Sequence, residues 1–129
     1  MDKSLLILHG QEVGGGSSNV RMSLLWTNPS PSASFAAGDI TGLSVSGYDF
    51  FIVTTEIGTC IFPATQIGNV CFSGSYASVN YVFRRMFTPN VSANKITVSD
   101  CVGMKMTDGS ETTSNQFIIP LAIYGIKLI

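Results

Sequence analysis

Apolar residues recur at every second position in short runs broken by turn residues, and this pattern predicts strands throughout the chain. Met22, Leu24 and Trp26 share one face of a first strand, which Asn28-Pro29-Ser30-Pro31 ends because proline lacks the ladder donor. A strand is expected over residues 40–45, a turn at Ser46-Gly47, and then a nearly continuous apolar strand over 48–54. A run of that kind belongs at the centre of a sheet, covered on both faces. Short strands follow at 58–62 and 69–72, flanking Pro63. Residues 79–88 alternate most clearly, with Val79, Tyr81, Phe83, Arg85 and Phe87 on one face and Asn80, Val82, Arg84, Met86 and Thr88 on the other. After a turn at Pro89-Asn90, one further strand places Ile96, Val98, Asp100, Val102, Met104 and Met106 together, with Asp100 out of character and marking a bend. Thr107-Asp108-Gly109-Ser110 reads as a turn, 111–115 as a polar loop, and 117–128 as a final apolar strand. The total is about eight strands, and no window holds helical spacing without a Gly or Pro inside it. The fold expected is all-β: a single antiparallel β-sandwich, with a jelly-roll-like arrangement as one version of it.

Before the first strand, Leu5-Leu6-Ile7-Leu8 forms an isolated apolar run, separated from the rest by Gly14-Gly15-Gly16-Ser17-Ser18-Asn19. We divide the chain into an N-terminal arm and Gly/Ser hinge over 1–19 and a β-sandwich domain over 20–129. The four apolar residues favour an arm that packs on a neighbouring chain over a frayed leader. The run is too short and too poorly flanked for a signal peptide, so synthesis in a reducing cytoplasm is expected. The longest uncharged run, 57–83, contains Gly58, Pro63, Gly68 and Gly74 and makes no spanning helix.

Composition sharpens this picture. Ser, Thr, Gly and Asn supply 47 of the 129 residues, scattered among Val, Ile, Phe and Tyr as strands and turns require. Lys and Arg number seven against eight Asp and Glu, a net charge of −1, which leaves no basic field for a nucleic acid. So little charge is unusual for a free monomer, and part of the surface is expected to be covered by other copies. The three cysteines, Cys60, Cys71 and Cys101, fit neither a disulfide framework nor a zinc site and are expected as buried thiols.

Candidate chemistry is sparse. The one histidine, His9, sits in the leader, so no triad is expected. The Gly14–Gly16 run precedes no helix and cradles no phosphate. Asp39, Asp49, Glu56, Asp100, Asp108 and Glu111 include no pair whose spacing selects a glycosidase, and turn capping or solvent exposure accounts for them better. We expect no enzyme, cofactor or metal. Trp26, Tyr48, Tyr76, Tyr81 and Tyr124 could supply aromatic faces for a carbohydrate, and of these Tyr76, in a Gly/Ser-rich turn, is the one expected to be exposed. Arg85 shares its face with Tyr81, Phe83 and Phe87. Either its stem crosses the aromatics and its head reaches water, or it makes an interchain ion pair or cation–π contact that fixes assembly.

Two strings carry a resemblance. Residues 24–36, LLWTNPSPSASFA, followed by Tyr48-Asp49, and residues 115–127, NQFIIPLAIYGIK, resemble the opening and close of small structural proteins of tailed phages and prophages of Gram-positive hosts. The resemblance implies a virion location, a tail-fibre, baseplate, head-fibre or capsid-decoration role, partnership with other virion proteins, and a homo-oligomer, with a trimer favoured. On that reading Leu5, Leu6, Ile7, Leu8 and Arg85 serve assembly and Tyr76 touches glycan.

Overall fold

A computed structural model describes residues 19–129; the arm residues Leu5, Leu6, Ile7 and Leu8, together with His9 and the hinge as far as Ser18, lie outside the described residues. Ten strands succeed one another: β1 (Val20–Thr27), β2 (Gly38–Ile40), β3 (Phe50–Thr55), β4 (Gly58–Pro63), β5 (Gly68–Tyr76), β6 (Val79–Asn90), β7 (Lys95–Val98), β8 (Val102–Lys105), β9 (Glu111–Thr113) and β10 (Pro120–Leu128). No helix occurs among the described residues. The first sheet has the order β1-β10-β3-β4, and the second is built on β6, with β5 on one edge and β7 and β8 end to end on the other. β2 extends the second sheet beyond β7, and β9 extends it beyond β8. Every pairing is antiparallel, so the chain is the sandwich-like all-β fold that its alternation predicts.

One core joins the two sheets. Phe51, Val53, Phe62 and Ile123 from the first meet Val70, Phe83, Phe87, Ile96 and Val98 from the second. Each buried phenylalanine contributes roughly 1.5–3 kcal/mol relative to exposure. β3 is buried on both sides: Phe51 and Val53 enter the core, while Ile52 between them is also buried, facing the other way. The burial expected on both faces of this strand is met at Ile52, although no described strand lies over its outer face.

Six elements differ from expectation, the first being β1, where a register shift between Leu24 and Trp26 turns Trp26 toward the core while Met22 and Leu24 stay outside, so the three do not share one face. The strand expected over 40–45 stops at Ile40, because Gly42 turns the chain with a φ of 74°; Leu43 and Val45 still enter the core, from a loop. The expected 111–115 loop contains the exposed edge strand β9, and the final strand begins at Pro120 because Ile118 takes a left-handed φ of 51°. The strand expected over 69–72 runs on to Tyr76. Finally, the strand expected through 95–106 is interrupted. Phe87 faces Val98 and Arg84 faces Val102, so three steps on β6 oppose four on its partner. That extra residue is a β-bulge, and it reverses the side-chain faces beyond it. Asp100 does mark the bend, but Met104 and Met106 are turned outward, 39% and 58% exposed, instead of sharing the face of Ile96 and Val98.

Candidate functional site

The bulge opens a polar seam in the interior, and Arg85 fills it. Its face on β6 points into the core as the alternation predicts, but the whole residue is buried and the guanidinium reaches no water. Nη1 donates to the carbonyl oxygen of Ser99 at 2.7 Å, and Nη2 donates to that of Phe117 at 3.1 Å and, at the limit of bonding, to that of Asn115 at 3.5 Å. The charged carbon lies 5.7 Å from the centre of the Phe35 ring. Nε has no hydrogen-bond partner. Burial lowers the pKa of this group, opposed by Cys101, Asp100 and Glu56, and a guanidinium nevertheless stays charged at neutral pH. The first sequence reading of Arg85 is corrected, since its head is not in water, and the cation–π contact it makes is to Phe35 of its own chain.

Asn115 and Asp100 knit the seam further. Asn115 donates from Nδ2 to Asp100 Oδ1 at 2.9 Å and accepts the Cys101 amide at 2.8 Å, while Asp100 Oδ1 also accepts the Ala37 amide at 2.8 Å. These bonds, the one to Asn115 first, hold the Asp100 carboxyl below its ordinary pKa. The Phe35 amide donates to the Asn115 carbonyl at 3.0 Å. Cys101 beside them is buried, and burial pushes its thiol up to about 11. The loop after β1, the bulge and the loop before β10 are therefore tied to one another through Arg85.

The strings that carry the resemblance meet in the same way. Asn28 donates its amide to Leu121 O and its Nδ2 to Pro120 O, both at 2.8 Å, and its Oδ1 accepts the Ser30 amide at 2.8 Å. Trp26 sets its ring edge-on to Phe35 at 6.2 Å and faces Ile123 across the strands. At the other end Asp49 donates its amide to Ile126 O and accepts the Leu128 amide at Oδ2, each at 2.8 Å. A side chain at Gly125 would come within 2.7 Å of the Tyr48 ring, so glycine there provides the close approach that the sequence suggests.

The other candidates are dispersed. Tyr76 is 49% exposed, its ring edge-on to Phe117 at 5.5 Å and tilted to Tyr81 at 6.5 Å. Trp26, Tyr48, Tyr81 and Tyr124 are half-buried. Open grooves among the described residues include one of about 410 Å³ lined in part by Trp26, Pro29, Ser34, Phe35, Asp39 and Thr41, and another of about 330 Å³ beside Ser78, Asn80, Lys105 and Met106. Each candidate carboxylate has a structural partner: Asp39 with Lys95 and Thr97, Asp49 with Leu128, Glu56 with the Ile119 amide, Asp100 with Asn115, Asp108 with Ser110, and Glu111 with Arg84. The ion pair to Lys95 is the first cause of a lowered pKa at Asp39. Of the cysteines only Cys101 is buried as expected; Cys60 is half-buried and Cys71 exposed, because the alternation of β5 turns Cys71 away from the core that Val70 enters. Both share Asn69, Cys60 donating to its backbone oxygen and Cys71 to its Oδ1 at 3.6 Å each. Among the described residues no group of His, Cys, Asp and Glu is placed to hold a metal, and no helix is long and apolar enough to cross a membrane. Sequence reasoning did not assign roles to Phe35, Asn115 or Ser99; Phe35 and Asn115 are marked only by lying in the two resembling strings, and Ser99 only by the bend at Asp100.

The fold and seam define a class, an all-β sandwich-like domain braced by a buried arginine. Comparison with protein-family models, curated proteins and solved structures finds no match.

Proposed function

We propose that this chain is a non-enzymatic structural protein of a phage virion, the knob or attachment module of a tail fibre, baseplate or head fibre, and that it works as a homo-oligomer, a trimer. One observation supports the reading above others. The residues that carry the resemblance, Trp26, Asn28, Tyr48, Asp49, Asn115, Pro120 and Gly125, are spent on tying β1 and β10 to the loops beside them and to the bend at Asp100. A set of residues used in this way supports a shared scaffold and supplies no reaction centre. Light scattering on the full chain at tens of micromolar tests the proposal: the mass of three chains is expected, and a monodisperse monomer that also fails to bind purified virion components refutes it. A second reading, glycan binding at the host surface, is favoured by the half-exposed Tyr76 and by the open groove beside Trp26. It predicts retention on an array of host cell-wall glycans that Tyr76→Ala or Trp26→Ala weakens, and it fails if the array stays blank.

A further inference from the structure

The first sheet has two apolar faces. One is the core face of Phe51, Val53, Phe62 and Ile123. The strand register sets the other side by side in two rows, Met22-Ile126-Phe50-Pro63 and Leu24-Tyr124-Ile52-Ile61. No charged side chain interrupts those eight positions, whereas an antiparallel sheet with a free outer face normally presents polar residues there. Ile126 and Ile52 are buried yet stand outside the main core cluster, while Met22 and Leu24 on the edge strand are 55% and 58% exposed. All ten described strands belong to the two sheets, so no described strand is left to cover this face.

We infer that the outer face of the first sheet is the seat of Leu5-Leu6-Ile7-Leu8 from the same chain. The length of chain outside the described residues supports this occupant. The undescribed segment joins the sheet at Asn19, whose carbonyl accepts the Ile129 amide at 2.9 Å, next to the β1/β10 end of the face. Leu8 precedes Asn19 by 11 residues, including the Gly14–Ser18 run. A random chain of 11 residues has an r.m.s. span of roughly 18 Å and a limit of roughly 36 Å. The middle of the face, one to two strands across and about four residues along, lies roughly 15 Å away at ordinary sheet spacings. A link whose span matches the distance gives an effective concentration in the millimolar range, far above that of a second copy in dilute solution. Four consecutive apolar residues and an uncharged face are matched in chemistry. The placement differs from the neighbouring-chain packing that the sequence suggests for this arm, and it does not depend on the functional reading above.

The test is a photo-crosslink in the full chain, with Leu6 replaced by p-benzoylphenylalanine and adducts mapped by mass spectrometry after digestion. Adducts within single chains on Met22, Leu24, Ile61 or Tyr124 are expected. Leu24→Asp, at a position already more than half exposed, should lower their yield several-fold while the circular dichroism spectrum is unchanged. Adducts that join two chains overturn the assignment in favour of a second copy. Adducts confined to other surfaces, or none, overturn it outright.

Discussion

Arg85→Met removes the guanidinium and keeps most of the stem. In the native chain the guanidinium makes two good charge-assisted bonds, to Ser99 O at 2.7 Å and Phe117 O at 3.1 Å, while the 3.5 Å approach to Asn115 O is too long to count for much. Two such bonds are worth about 3–6 kcal/mol in total, and their loss leaves two carbonyls without a donor. Against this, removal of a fully buried cation returns a desolvation cost of order several kcal/mol, partly incurred again by the stranded carbonyls. The net expectation is a loss of about 2–4 kcal/mol. For a domain of this size that lowers the melting temperature by about 8–16 °C, at roughly 4 °C per kcal/mol. Far-UV circular dichroism during heating and during urea titration measures it, with the urea slope checking that the unfolded state is unchanged. Arg85→Lys, which keeps the charge but not the fork that spans two acceptors, should fall between the two. If Arg85→Met unfolds within about 0.5 kcal/mol of the native chain, the guanidinium is not what ties the loops together, and the account of the seam is wrong.

Two further perturbations read other parts of the structure. Gly125→Ala places a methyl group 2.7 Å from the Tyr48 ring and should cost about 1–3 kcal/mol in urea unfolding, most of it restored by adding Tyr48→Leu; an unchanged midpoint would show that the ring moves away freely. Thiol labelling at pH 8 should modify Cys71 first, Cys60 more slowly because burial raises its pKa, and Cys101, with a pKa of about 11, only on unfolding; modification of Cys101 in the native chain at the rate of Cys71 would contradict its burial.

The alternation of 79–88 is the clearest case of structure legible in sequence, since each residue it sends inward or outward lies on that side. The two-sided burial of β3 was legible for the same reason, that a continuous apolar run has no polar face to offer water. What alternation cannot carry is a change of phase. One inserted residue between Val98 and Val102 turns Met104 outward, and the sequence announces it only through an aspartate on an apolar face. The use of Arg85 was hidden by the same insertion. Its acceptors are backbone carbonyls that any residue type supplies, so Ser99, Asn115 and Phe117 bear no mark of their role. Leu43 and Val45 show the converse, core residues recognised by hydrophobicity but held by a loop where a strand is expected.

The hydrogen bonds also couple two strings that are distant in sequence. Residues 24–36 and 115–127 lie some ninety positions apart, yet Asn28 bonds to the backbone of Pro120 and Leu121, and Phe35 to that of Asn115. Loss of the Asn28 side chain would therefore loosen both strings at once, whereas a change at the tip of the β5–β6 hairpin, around Ala77 and Ser78, alters only exposed residues. The hairpin tip, with Tyr76 beside it, is where new surface chemistry costs the scaffold least. A receptor-reading function built on this fold would vary there, leaving the Arg85 seam untouched. Substitutions at Ala77 and Ser78 that preserve their positive φ, 53° and 64°, should be neutral in stability whatever they do to binding.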